Sequence, residues 1–463
     1  MTKFKTKHKA FALTKMRAAA LIIAALLTLA LLFTGCKQSA GGSNEIGSSG
    51  GGGNTGGLEW HEAPLIEGGA SLILSPDKLT IRVTVTTSDN SPITVEGCDK
   101  TKLTSGTQTE LKAKGRKVVL KGKITKLTVG DWQNPNKLTA LNVQGLSTLQ
   151  ELDCNSNKLT ELNVQGLSVL QKLRCYGNQL SSLNVQGLNA LQDLICSFNK
   201  LTALNVQGLN ALKELNCGVN KLTELNVQGL NALKELNCDG NQLTELNVQG
   251  LNALQKLVCD RNQLTALNVQ GCTALKELDC SDNQLTALNV QGLTALQVLS
   301  CWKNQLTALN VQGLTALQSL VCDRNRLTAL NVQDLPALQG LACDSNRLTA
   351  LNVQDLPALQ GLVCDSNRLT ALNVQGCTAL KYLRCCDNRL NADAFKKLFD
   401  DLPVRADSDN AKCVLYTERT DVTEGNHTNF SAPPELANAF NNAKTVKKWK
   451  MYKRVIGSKE VEI

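Results

Sequence analysis

From Leu138 to Arg389 one 21-residue frame recurs twelve times without a gap. Its second copy reads Leu159-Thr160-Glu161-Leu162-Asn163-Val164-Gln165-Gly166-Leu167, then Leu170, Leu173, Cys175 and Asn178. A period of this length predicts a solenoid, in which each unit buries its apolar side only against its neighbours.

The spacing within a unit predicts how the coil turns. Steps of two, from 162 to 164 and from 173 to 175, are strand steps that put both side chains on one face. Steps of three from 164 to 173 fit a turning segment such as a 3₁₀ turn. Each coil is therefore expected to hold two short strands, joined by a turn on one side and a corner on the other. Coils should stack about 4.8 Å apart as in-register parallel strands.

Three columns of residues support this. The position of Gly166 holds Gly in ten units and Asp334 or Asp355 in two, types that tolerate left-handed backbone. Two residues on, the column holds Ser, Asn, Thr or Pro, which suit the start of a helical turn. The third column is Asn157, Asn178, Asn199, Asn220, Asn241, Asn262, Asn283, Asn304, Asn325, Asn346, Asn367 and Asn388. A buried Asn at the corner can bond backbone groups of its own and a neighbouring coil.

The run Leu170-x-x-Leu173-x-Cys175-x-x-Asn178-x-Leu180 resembles the leucine-rich repeat, L-x-x-L-x-L-x-x-N-x-L, with Cys in place of one Leu in all twelve units. The short repeat resembles that of bacterial cell-surface leucine-rich-repeat lipoproteins. The resemblance implies a β-rich horseshoe, a right-handed coil with a parallel sheet, that binds other macromolecules. Fold alone gives a class of function and no ligand.

The flanks lack the period. Residues 1–35 read as a lipoprotein signal peptide: Lys3, Lys5, Lys7, Lys9, Lys15 and Arg17 precede an apolar run from Ala18 to Phe33 that is short for a membrane span. Thr34-Gly35-Cys36 resembles a lipobox, which makes Cys36 the expected lipidation site. Residues 36–57 are a Gly/Ser-rich tether. Residues 58–117 alternate at Leu79 to Val85 and Ile93 to Val95, as expected for a β-rich N-terminal cap. The solenoid is expected over 118–389, with Val118 to Val129 in a degenerate first coil. Residues 390–463 form an α+β C-terminal cap: Phe395, Leu398, Phe399 and Leu402 mark a helix before Pro403, and Pro434 opens a second.

Composition excludes several functions. The net charge of +9 falls to +3 without the six cations of the leader, and no basic stripe marks a nucleic-acid site. The three His lie outside the repeats, and neither a phosphate loop nor a nucleophile motif occurs, so no enzyme activity and no cofactor are expected. Twelve of the eighteen Cys fall one per coil on the inward side, where a thiol serves as a small hydrophobe. Asp323, Asp344 and Asp365 run alongside Arg326, Arg347, Arg368 and Arg389, which reads as a neutralised charge ladder and no metal site.

The units differ from one another mainly around the Cys. T-x-L-N-V-Q is nearly fixed, and all four aromatics of the repeats, Tyr176, Phe198, Trp302 and Tyr382, fall in the varied half. Exposed aromatics with Lys172, Arg174, Lys303 and Arg324 beside them resemble interface anchors. The sequence thus suggests an exported, lipid-anchored, surface-exposed protein of the bacterial envelope. It would bind an extracellular protein or glycan through its repeat sheet, in adhesion or attachment. The alternative is a structural envelope protein without a foreign ligand.

Overall fold

The computed structural model describes residues 62–131, 133–418, 424–455 and 459–463; the expected signal peptide, Cys36 and tether lie outside them. His61–Val455 with Glu460–Ile463 forms one compact unit.

The twelve repeats wind as twelve coils. In each, the x-Leu-x before the Cys is a three-residue strand, from Glu151–Asp153 to Tyr382–Arg384. Neighbouring strands pair in parallel with an offset of one repeat: Lys172 faces Asp193, Leu173 faces Leu194 and Arg174 faces Ile195. Parallel pairing needs a crossover, and the remaining residues of each coil supply it. Leu159, Leu162, Val164, Leu167, Leu170, Leu173 and Cys175 all point into the core, and the Cys are fully buried in every coil.

The turn between the halves consists of single i→i+3 turns rather than a 3₁₀ helix. Leu167 N donates to Val164 O at 3.3 Å, and Leu170 N to Leu167 O at 2.9 Å. From the second coil on, the Gly column is left-handed: φ is +83° at Gly166, and Asp334 and Asp355 adopt +63° and +56°.

The second strand expected in each coil is mostly absent. Among the described residues, T-x-L-N-V-Q forms strand only at Leu138–Asn142, Glu245–Asn247 and Ala266–Asn268, with one further bridge between Asn352 and Asn373. In this half the Asn163 side chain accepts from Gln165 N at 3.0 Å, and the same bond recurs at Asn247 and Asn268, at the ends of two strands that do form. Gln165 then bridges the coils in place of the ladder: its Nε2 donates to Asn184 O at 2.9 Å and to Gln186 O at 3.4 Å.

Both ends of the parallel ladder are continued by cap strands. Ile124–Thr128 runs parallel to Glu151–Asp153 as the degenerate first coil, and Thr80–Thr87 covers it antiparallel. Val118 to Leu120, grouped with that coil from sequence, lie instead in Lys117–Lys121, a strand antiparallel to Gly69–Leu74. At the other end Lys412–Thr417 and then Lys450–Arg454 extend the parallel order, and Glu460–Glu462 closes it antiparallel. An open solenoid end would expose core and unpaired strand edge together; these strands cover the core and move the edge out to short cap strands.

The C-terminal helix Ala392–Asp401 is capped by Asn391, whose side chain accepts from Ala394 N. Its Phe395 and Phe399 meet Phe430 at ring-centroid distances of 5.1 and 5.7 Å, and Phe440 of the helix Pro434–Thr445 joins them. Trp449 is buried, and its Nε1 donates to Pro403 O at 2.8 Å. Among the described residues no helix is long and apolar enough to cross a membrane.

Candidate ligand-binding face

The Asn column fixes where each strand of the Cys half ends. Asn178 Oδ1 accepts from Leu159 N at 3.0 Å, and Nδ2 donates to Cys154 O and Cys175 O, each at 3.0 Å. One side chain thus satisfies backbone groups of its own coil and the coil before. The pattern runs to Asn388, which serves Leu369 N, Cys364 O and Cys385 O. Eleven of the twelve are buried and Asn199 is half-buried. Two residues outside the twelve repeats extend the column, Asn136 on the 21-residue period and Asn426 off it. Asn136 bonds Arg82 and Val129, and Asn426 takes Leu390 N and donates to Cys385 O and Leu415 O. Asn426 follows Asn388 at an irregular interval, which hid it in the sequence.

The residue before each Asn is left-handed in all twelve coils, although only two are Gly. Phe198, Val219, Arg261, Lys303 and Arg324 all have φ between +52° and +54°. Nothing in the composition of this column announces it. A corner enforced by both neighbouring coils imposes it on whatever residue is there.

These corners separate the predicted anchors. Lys172 and Tyr382 share one outward strand position, Arg174 occupies a second, and Tyr176 and Trp302 a third just past the strand. Phe198, Lys303 and Arg324 sit at the left-handed corner. Phe198 is 60% exposed, whereas Tyr176, Trp302 and Tyr382 are half-buried. Tyr176 and Phe198, adjacent by coil, are therefore not in register; Ser197 stands level with Tyr176. Tyr382 lies between Gly361 and Lys412 of its neighbouring strands, so the cap flanks it, and burial raises its phenol above the usual range.

Most of the predicted cations have acidic neighbours. Lys172 lies 3.5 Å from Glu151, Lys303 2.8 Å from Asp282 and Arg324 3.9 Å from Asp323. The expected Asp–Arg ladder does not form in the register read from sequence. Asp365 pairs with Arg384 at 2.6 Å and with Arg454 at 3.6 Å rather than with the Arg326 column. Burial, with Asp365 and Asp323 close by, pushes the Asp344 carboxyl up to about 8, and burial pushes Asp323 up to about 6.

Arg174 and Tyr176 do come together, in a cleft of about 470 Å³ at the N-terminal end of the ladder. Arg82 and Gln108 of the cap, Asp131, Asp153 and Asn155 line it with them. Asn155 Oδ1 is buried there without a hydrogen-bond partner. The cap residues carry no repeat signal, and only folding brings them to the repeats. A larger groove of about 840 Å³ runs along the opposite half, lined by Leu204, Leu225 and Leu246 with Asn205, Asn226 and Asn247.

The sequence matches no protein-family model and no curated protein. Similar solved structures include the functional domain of InlJ from Listeria monocytogenes, which includes a cysteine ladder. It is 32% identical with a TM-score of 0.57, over 64% of each chain. This chain thus spans just under two thirds of that domain. An internalin, inlF, from Listeria monocytogenes shares the fold at 22% identity and TM-score 0.51, over 68% of this chain and 84% of that one. So does the LRIM1/APL1C complex, at 23% and 0.50, over 58% and 54%. By repeat, register and structural likeness, the chain is a leucine-rich-repeat solenoid with bacterial leucine-rich-repeat proteins among its structural neighbours.

Proposed function

We propose that this chain binds a protein partner non-covalently through the Cys-half ladder, with the cleft at Arg174 and Tyr176 as the centre of contact. The observation that carries this reading is how side chains are used on the two halves. On the T-x-L-N-V-Q half eight of the twelve Gln amides bond the next coil, as at Gln165, Gln186 and Gln207. On the Cys half the outward side chains differ from coil to coil and include every aromatic of the repeats. The leucine-rich-repeat fold supports protein binding in general, and the InlJ likeness is to a functional domain built on the same ladder.

The setting is part of the proposal: an exported protein, anchored by lipid at Cys36 and displayed for attachment. Fatty-acid labelling of the Cys36→Ser variant tests the anchor, since only the thiol accepts the lipid; unchanged label contradicts it. For binding, the full chain is screened against surface proteins and against glycans. The reading expects a protein ligand whose capture weakens in Arg174→Ala/Tyr176→Ala. A glycan ligand, or a protein ligand indifferent to that change, overturns it.

A further inference from the structure

The last coil breaks the pattern of the column at Tyr176. That column runs Asp323, Asp344, Asp365 and then Cys386, so only this coil doubles its ladder Cys. At the next position, Ser345 and Ser366 give way to Asp387. One oxygen of Asp365, the Cys386 Sγ and one oxygen of Asp387 lie within 4.8 Å of one another, the one such group among the described residues.

Asp365 is only 2% exposed. Its Oδ2 faces Arg384 at 2.6 Å, but its Oδ1 is buried with no partner at all. Asp387 repeats this: Oδ2 takes the Ser366 hydroxyl at 3.4 Å, and Oδ1 is buried and unpartnered. Beside the Cys386 thiol is the Thr417 hydroxyl, 4% exposed. A buried carboxylate oxygen that meets no donor is costly, and two of them beside one thiol call for a cation.

We propose that Asp365, Cys386 and Asp387 bind one divalent transition-metal ion, with Zn²⁺ as the probe. Sulfur mixed with carboxylate oxygen suits zinc, whereas calcium and magnesium take oxygen alone. Metal–ligand bonds of roughly 2.0–2.3 Å set tetrahedral donors about 3.5 Å apart, so from within 4.8 Å the three close by about 1.3 Å at most. Two carboxylates and a thiolate leave one negative charge around the ion, which the Arg384 and Arg454 guanidinium groups beside Asp365 face. Thr417 or water completes the set. The ion joins the eleventh coil to the twelfth, next to the first strand of the C-terminal cap.

The test uses the full chain in a Cys36→Ser background, which removes the thiol outside the described residues. Zn²⁺ is titrated against a chromogenic chelator, and Co²⁺ is followed by its thiolate charge-transfer band. The proposal expects one ion per chain, a thiolate band with Co²⁺, and a rise in melting temperature. Cys386→Ser and Asp387→Asn each weaken binding roughly 100-fold or more, and Asp260→Asn, in another acidic stretch of the same face, does not. Circular dichroism confirms that each variant is folded, and Asp387→Asn carries the test if Cys386→Ser is not. No binding by the parent, a cobalt complex without the thiolate band, or equal binding by the folded variants overturns the site.

Discussion

The two halves of each coil bury the same kinds of residue and are joined to their neighbours in different ways. The Cys half uses backbone, through a parallel ladder unbroken from Ile124–Thr128 to Lys450–Arg454. Its outward side chains are left free to vary. The T-x-L-N-V-Q half has little ladder, and its Gln side chains do most of the joining, while Asn side chains such as Asn163 bond their own coil. Its uniformity is therefore structural: change the Gln, and a bond between coils is lost. Shape alone would favour this uniform half, which holds the larger groove. A surface committed to holding the coils has little freedom to specialise toward one partner, and that favours the ladder half as the reading surface.

Breaking the corner that terminates the ladder half should have the largest effect. Asn262 Oδ1 accepts from Leu243 N, and Nδ2 donates to Cys238 O and Cys259 O. Asn262→Leu leaves these groups buried and unpaired and should cost about 1–3 kcal/mol. Gln263→Leu at the next, exposed position should cost little. Denaturant unfolding with hydrogen exchange at the flanking coils measures both, and equal losses would contradict the role of the column.

A smaller effect tests charge on the ladder half. The Asp344 carboxyl titrates at about 8 when folded and near 4 when unfolded. Between these values the folded state holds a proton that the unfolded state has released. The stabilisation is full below about pH 4 and is lost as pH rises through about 8. Asp260, held at about 6 by burial and by Asp279, has the same sign. Melting temperature should therefore fall from pH 5 to pH 8, and Asp344→Asn should flatten the fall. A wild-type profile that rises across this window contradicts the account.

The smallest effect sharpens the contrast from the other side. Gln228 Nε2 donates to Asn247 O at 2.8 Å from a partly exposed position. Gln228→Ala should cost about 0.5–1 kcal/mol, against almost nothing for Lys234→Ala, an exposed side chain of the same coil that the structure gives no bond. Paired unfolding curves decide it, and indistinguishable variants would mean that the Gln bridges contribute nothing.

Much of this architecture is legible in the sequence because a repeat states each rule twelve times. The period, the inward set from Leu159 to Cys175, the Asn corner and the left-handed Gly column follow from it directly. Less legible was the second half: Leu162-Asn163-Val164 alternates like a strand, but Gln side chains such as Gln165 join these coils, which alternation does not show. The left-handed corner at Phe198 and Val219 carries no glycine signal, because the stacked coils enforce it. The cleft at Arg174 was invisible since Arg82 and Gln108 reach it from the cap. The flanking of Tyr382 was missed because Lys412–Thr417 joins the ladder after a helix and outside the period.

The most direct test compares the two halves by binding. Once a protein partner is in hand, its affinity is measured for the parent chain, for Arg174→Ala/Tyr176→Ala on the ladder half, and for Gln207→Ala/Gln228→Ala on the uniform half, each with its melting temperature. The account predicts at least a tenfold loss for the ladder pair at an unchanged melting temperature, and parent-like affinity for the Gln pair with slightly lower stability. Parent-like affinity for the ladder pair, with binding lost in the Gln pair, would place the partner on the uniform half and contradict the account.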